Sequence, residues 1–241
     1  MPDWYKISKI YVWQDQVRPK EQRNFPYQKN AYTELYLPLV DDVNDYGGKN
    51  HTTVNNGVTF TTVGSTPCAL FSSDNIQVVD TTGLRWANWY TWCLWRKYSG
   101  SRSTASDMIS LGSDSGANSV LIRTLNNKFQ AWLNPNASWF GNQVEVTSSI
   151  ANDTTSRHNL VLTYYNNTNY LYVDKTLLWS KTASSASTYN NTDAMMIWCF
   201  YYPSYGYRFN WNLSNIILES RQWSASDIST YYNNTKSYFG L

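Results

Sequence analysis

The sequence predicts an all-β protein: an antiparallel β-sandwich or jelly roll with one short helix near the C-terminus. Three observations carry this expectation. After residue 30 the apolar runs are short and bounded by Asn, Ser, Thr and Gly. They recur at about 8–12 residues, the spacing of sandwiches and jelly rolls. Some runs alternate: Leu160, Leu162 and Tyr164 share one face, and Val161, Thr163 and Tyr165 the other. Only the stretch after Ser224 has a helical period.

Taken in order, the candidate strands cover 34–40, 57–62, 76–79, 90–96, 108–111, 119–123, 128–133, 159–165, 170–174, 176–180, 194–201 and 210–219. Four turn formers, Asn166, Asn167, Thr168 and Asn169, separate 159–165 from 170–174, which reads as a hairpin with a longer loop. Asp174 and Lys175 supply the next turn. The helix covers about 225–233: Ser224 and Asp227 form a capping-box-like start. Ile228 with Tyr231 or Tyr232 gives it an apolar side, and Asn233 and Asn234 end it.

Residues 1–30 stand apart. Residues 7–13 can make one strand, Gln14 to Gln16 a turn, and the polar stretch 20–30 with Pro26 a linker. So short an arm cannot form its own core. It either adds a strand to the sandwich or docks on another protein. The expected organisation is a docking arm and linker over 1–30 and one domain over 31–241.

Composition narrows the function. Of 241 residues 15% are charged, against about 25% in a usual domain. Aromatics reach 17%, with 12 Trp and 20 Tyr, and the net charge is +2. Disordered chains show the reverse balance. No run approaches the ~20 apolar residues of a membrane span. A near-neutral chain has no electrostatic footprint for nucleic acid. No apolar stretch follows Met1, so no secretory signal is expected. Cys68, Cys93 and Cys199 are too few and too scattered for a disulfide framework or a zinc site; Cys93 and Cys199 read as buried small hydrophobes. The seven Asn-x-Ser/Thr sequons follow from the abundance of those residues.

A family resemblance rests on five segments in order. Residues 34–51 place an apolar strand ending in Pro38 and Leu39 before an acidic, Asn/Gly-rich turn. Residues 69–76, the Trp strand at 92–97, the hairpin of 158–164 with 171–174, and the last strand and helix of 215–228 follow. Together they resemble the concanavalin A-like, laminin-G-like jelly-roll domains across about 31–235. There are departures. The hairpin turn of that family is usually Asp-Gly and here is Asp174-Lys175, which leaves the turn type open because Lys resists positive φ. The family's Gly before the last strand is replaced near Asn210 and Trp211. Separately, residues 10–19 are similar to a short N-terminal segment of tailed-phage virion proteins. That resemblance implies particle docking through Ile10, Tyr11, Val12, Trp13, Val17, Arg18 and Pro19.

Jelly rolls of this type include glucanases. Retaining glycosidases need two carboxylates about 5–5.5 Å apart. The glucanase pattern Glu-x-Asp-x-x-Glu is absent: the glutamates are Glu21, Glu34, Glu145 and Glu219, and none has an Asp two residues on. His51 and His158 are the only histidines, and there is no Gly-x-Ser-x-Gly elbow. His158 reads as a strand-boundary residue with a satisfied ring. No catalytic residue is expected. Relatives of the fold often hold Ca²⁺ in loops. Asp41, Asp42, Asp45 and Asp74 are the acids in matching turns, for which a hydrated structural turn competes with a calcium site and is favoured. No other cofactor is expected.

The aromatics are the remaining signal. Trp86, Trp89, Trp92 and Trp95 recur every three residues, so a strand places Trp86 and Trp92 on one side and Trp89 and Trp95 on the other, with Trp92 and Leu94 in the core. Tyr201, Tyr202, Tyr205 and Tyr207 surround Pro203 and Gly206 on a loop, and Trp139 and Phe140 follow Pro135 on a second. These six read as contacts to a glycan, to a neighbouring subunit, or as plain surface packing.

The expectation is therefore a non-enzymatic phage virion surface protein, decorating the capsid or forming a fibre or tail tip. It is assembled in the host cytoplasm and anchored by its arm to other virion proteins. It is a homo-oligomer with weak affinity for cell-surface glycans. The alternatives are a carbohydrate-binding or adhesion module of a cell-surface protein and, more remotely, a glycoside hydrolase.

Overall fold

The structure, a computed structural model, describes residues 25–72, 74–81, 84, 89–98, 105–111, 119–125, 128–134, 143–147, 153, 155–182, 194–197 and 211–241. Its strands are β1 (Thr33–Leu37), β2 (Thr53–Asn56), β3 (Thr59–Val63), β4 (Thr66–Phe71), β5 (Asn75–Val78), β6 (Trp89–Tyr98), β7 (Ala105–Leu111) and β8 (Ser119–Leu125). They continue with β9 (Lys128–Asn134), β10 (Gln143–Thr147), β11 (His158–Tyr165), β12 (Thr168–Val173), β13 (Thr176–Thr182), β14 (Met195–Ile197) and β15 (Trp211–Glu219), followed by helix α1 (Ala225–Thr235).

Two sheets form, and the order within each explains the burial pattern. The first runs β13-β12-β11-β6-β15-β4-β3, with β1 beside β15; the second runs β10-β9-β8-β7-β14-β5-β2. The pairings in both sheets are antiparallel. This is the all-β sandwich with one short C-terminal helix that the sequence predicts. Facing side chains of the two sheets make the main core: Trp92, Leu94, Leu160, Leu162, Ile216 and Leu218 from the first meet Ile76, Met108, Ile122, Phe129 and Ile197 from the second. The alternate residues of the first sheet are not left to water. Cys93, Val161 and Ile217 on its outer face pack with Tyr27, Tyr36, Trp223 and Ile228 in a second apolar cluster beneath α1. The middles of β6, β11 and β15 are thus buried on both faces, which matches their short apolar runs Trp92–Trp95, Leu160–Leu162 and Ile216–Leu218.

Local chemistry sets the ends of these elements. Ser224 caps α1, its Oγ accepting from Asp227 N at 3.1 Å while Asp227 Oδ2 accepts from Ser224 N at 2.8 Å. The helix runs two residues beyond the expected end at Asn233, to Thr235, whose Oγ1 donates to Tyr231 O at 2.8 Å. The loop expected between β11 and β12 is in fact a two-residue turn, for Tyr165 pairs directly with Thr168. Asn166 and Asn167 hold φ of 46° and 61°, the geometry that joins twisted strands most tightly. The Asp174-Lys175 turn is of the same kind, with φ of 47° and 66°. Lys175 is tied down there by its ammonium, which donates to Asn233 Oδ1 at 3.2 Å and stands over the Tyr232 ring.

Strands β2, β4 and β10 lie outside the sequence expectation. β2 is polar and mostly exposed, so it lacks an apolar face to betray it. β4 contains Pro67, which argues against a strand interior; Pro67 faces Thr62 beyond the three residues that pair with β15. β10 is a short edge strand. Within the stretch read as linker, Phe25 and Tyr27 pack on the outer-face cluster. The described packing therefore begins at Phe25. No helix among the described residues is long and apolar enough to cross a membrane.

Candidate binding surface

The outer face of the first sheet is covered by α1 at its centre and open at one end. Trp89 opens β6 and Tyr165 closes β11, and the register sets them opposite one another. Both have the parity of the outer face. Their rings are parallel, 2° apart, with centroids at 6.3 Å. Neither is covered: Trp89 is 52% and Tyr165 46% exposed. On the next strands lie Arg221, just past β15, and Tyr32, just before β1. The Thr91 hydroxyl donates to Arg221 O at 2.8 Å, which brings that backbone beside β6 two residues from Trp89. The Arg221 guanidinium stands over the Tyr32 ring at 5.6 Å, and Tyr32 is itself 51% exposed. Tyr165, Trp89, Arg221 and Tyr32 thus follow one another across β11, β6, β15 and β1.

Glu219 holds this end together. It is fully buried, a costly place for a carboxylate unless donors surround it. Four do: the Tyr27 hydroxyl, Asn30 Nδ2 at 2.6 Å, Arg221 Nε at 2.5 Å and Trp223 Nε1 at 2.6 Å. Burial pushes the Tyr27 hydroxyl pKa well up, and the neighbouring Glu219 adds to the shift. Burial is the largest single influence and lowers the Arg221 pKa, but the hydrogen bond and charge of Glu219, with Asp227 and Tyr27, together outweigh it and the net shift is upward. The Glu219–Arg221 pair therefore places a guanidinium at the surface whose charge is already balanced from below.

The sequence-predicted site residues fall out as follows. The loop aromatics Trp139, Phe140, Tyr201, Tyr202, Tyr205 and Tyr207 lie outside the described residues, as do the arm residues Ile10, Tyr11, Val12, Trp13, Val17, Arg18 and Pro19. Trp86 and Cys199 also lie outside them. Of the Trp series, Trp92 is in the core as expected. Trp95 points outward but is fully buried, stacked on Phe239 at 4.2 Å and donating to the Tyr231 hydroxyl at 3.1 Å. Trp89 alone of the described three reaches solvent. Its partners Tyr165, Tyr32 and Arg221 were not sequence candidates. The signal that could have found Tyr165 is its position at the outward end of a strand before an Asn-Asn turn.

The acidic turn is a structural knot. Asp45 Oδ1 accepts from Tyr36 N at 3.0 Å and Gly47 N at 2.7 Å, and its Oδ2 from His51 N at 3.0 Å. Asp42 accepts from Asn44 N and the Tyr46 hydroxyl. Asp74 accepts from Ser72 Oγ on a separate turn, and Asp41 is exposed. Among the described residues no three His, Cys, Asp or Glu side chains gather for a metal. His158 has a satisfied ring, Nδ1 on Asp174 Oδ2 at 2.5 Å and Nε2 on Asp153 Oδ2 at 3.0 Å. Cys68 and Cys93 are buried free thiols, and burial pushes the Cys93 pKa to about 12.

No protein-family model matches the sequence, and no curated protein matches it. Solved structures do share its fold. The receptor-binding domain of botulinum neurotoxin mosaic serotype C/D superposes with a TM-score of 0.69 at 16% identity, over 87% of this chain and 54% of that one. A botulinum neurotoxin type C structure, described as showing cell entry dependent on interaction with two ganglioside molecules, gives 0.69 at 14% identity, over 84% and 51%. The binding domain of botulinum neurotoxin DC in complex with rat synaptotagmin II gives 0.68 at 13%, over 86% and 52%. The chain spans about half the length of these structures. At such identities the likeness is one of fold, a lectin-like jelly roll.

Proposed function

We propose that this chain is a non-enzymatic adhesion module that holds cell-surface glycans on the open end of its first sheet. The carrying observation is the row of three half-exposed aromatic rings, Tyr165, Trp89 and Tyr32, with Arg221 among them. Rigid aromatic faces offer contact area at little entropic cost and stack on sugar rings. Exposed apolar clusters of this kind mark binding surfaces. The receptor-binding character of the neighbouring folds supports the reading. Their ganglioside and synaptotagmin contacts belong to domains twice as long and are not assigned to this half. Glu34 and Glu219 support a non-enzymatic role, since Glu219 is buried under four donors and Glu34 accepts from Ser220 Oγ. A glycan array probed with the wild type and with a Trp89→Ala, Tyr165→Ala double variant tests this. Signals that vanish in the variant are expected; a blank array or an unchanged pattern would sink the proposal.

A second reading places the module on a phage particle as a capsid decoration, fibre or tail-tip protein. It would be a homo-oligomer held to other virion proteins by the arm. The similarity of residues 10–19 to virion attachment segments favours it. The loop aromatics at 139–140 and 201–207 would then serve glycan or subunit contact. Deletion should stop at residue 24, because Phe25 and Tyr27 belong to the packed domain. Loss of incorporation into particles is the expected result, and normal incorporation excludes arm-mediated docking.

A further inference from the structure

We infer that the ligand of the aromatic row is an extended, uncharged oligosaccharide laid across the strands, rather than a single terminal sugar or an acidic one. This rests on the adhesion reading above and narrows it by two independent observations, one of length and one of charge.

The first is the direction of the row. Tyr165 and Trp89 are register partners on β11 and β6, and the row continues onto the β15 and β1 ends through Arg221 and Tyr32. Neighbouring strands lie about 4.8 Å apart, so three steps span ~14 Å. That exceeds one pyranose ring and suits a short oligosaccharide crossing the sheet. The Trp89 and Tyr165 rings are parallel and stacked with centroids 6.3 Å apart, so they form one joint aromatic surface at this end of the row. The exposed Asn166, in the turn beside Tyr165, brings amide chemistry to that end.

The second observation is the charge under the row. Among the described residues Arg221 is its cation, but Nε is bound to the buried Glu219 at 2.5 Å, and Asp227 also acts on the guanidinium. A carboxylated or sulfated sugar would meet a positive charge already balanced by one carboxylate and shadowed by a second. Its desolvation would go uncompensated. A neutral sugar needs only donors and flat apolar faces. Arg221 lies over Tyr32 with its side chain 36% exposed, which leaves it open as a donor to hydroxyls.

The test is titration calorimetry on the full chain. The probes are neutral gluco-, galacto- and manno-oligosaccharides from mono- to tetrasaccharide, with sialylated and sulfated counterparts, at low and high salt. Affinity is expected to rise with chain length to about the trisaccharide and then level. Acidic counterparts bind no tighter, and salt changes little because no exposed ion pair forms. Trp89→Ala and Tyr32→Ala each weaken the longer ligands by about tenfold, the scale of one lost aromatic contact. These exposed positions should leave the fold intact, which circular dichroism of each variant checks. Monosaccharides binding as tightly as trisaccharides would overturn the inference while leaving the adhesion reading standing. So would a salt-sensitive preference for acidic sugars, whereas binding indifferent to both substitutions overturns both readings. Absence of binding to every probe overturns both.

Discussion

Trp89, Trp92 and Trp95 show what residue spacing can and cannot say. Three residues apart on a strand of period two, they must alternate faces, and they do. Yet Trp89 and Trp95, on the same face of the same strand, end in opposite environments. Trp95 lies beneath α1 and Phe239, and Trp89 lies past the edge of that cover. The consequence is measurable by urea denaturation. Trp95→Ala should cost about 3–5 kcal/mol, as for a large core aromatic. Trp89→Ala should stay within about 0.5 kcal/mol, as for an exposed site. Glu219 carries the same lesson. In the sequence it is one of four glutamates, none with an Asp two residues on, a pattern that argued against glycosidase chemistry. Folding turns it into a buried acceptor that joins Tyr27, Asn30, Arg221 and Trp223.

At the scale of elements, strands and the helix were read where local chemistry sets them. The α1 start was legible because a capping box is a four-residue device, complete in the sequence. Ser224→Ala should lower stability by about 1 kcal/mol, read from the thermal midpoint. The Asn166-Asn167 turn was misjudged as a longer loop because four consecutive turn formers do not reveal which two carry positive φ. Pairing decides that: Tyr165 opposite Thr168 leaves only the middle two free to turn. The Asp174-Lys175 turn, left open by its Lys, closes because both sides are anchored. Asp174 Oδ1 accepts from Asn159 N at 2.8 Å, and Lys175 reaches α1. Strand β2 was missed because it is mostly exposed and so shows little pattern, and β10 because its alternation of Val144 and Val146 spans only five residues.

At the scale of the whole molecule, two expectations follow from how the parts are tied together. The first concerns acid. The Thr155 hydroxyl is the main cause holding the Asp153 carboxyl well below the usual range, helped by the Thr155 and Ser156 N–H groups and by His158. Burial pushes Asp227 upward, but the hydroxyl and N–H of Ser224 outweigh it and its pKa is lowered. Carboxyls with depressed native pKa stabilise the fold above the unfolded value, about 3.9, and lose that contribution as pH falls through the native one. The urea midpoint should therefore drop as pH is lowered below about 4, and Asp153→Asn should drop less steeply. The second concerns the N-terminal segment. Removal of residues 1–30 should lower the thermal midpoint by several degrees relative to removal of 1–24, because Phe25, Tyr27 and the Asn30–Glu219 bond are then lost from the outer-face cluster. Differential scanning calorimetry of the two truncations separates them.

The sequence by itself determined the all-β class, most strands, the shared faces within 159–165 and the Trp strand, and the position and cap of the helix. These follow from period, turn chemistry and capping, which act over a few neighbouring residues. Only the tertiary structure decided what covers what. The outer face of the first sheet carries aromatic and aliphatic residues at both its centre and its open end, and alternation cannot tell which of them α1, Tyr27 and Phe239 will shield. The candidate surface is the part left uncovered. Its four residues, Tyr32, Trp89, Tyr165 and Arg221, come from distant points of the chain and meet because strand pairing, not sequence proximity, sets their order.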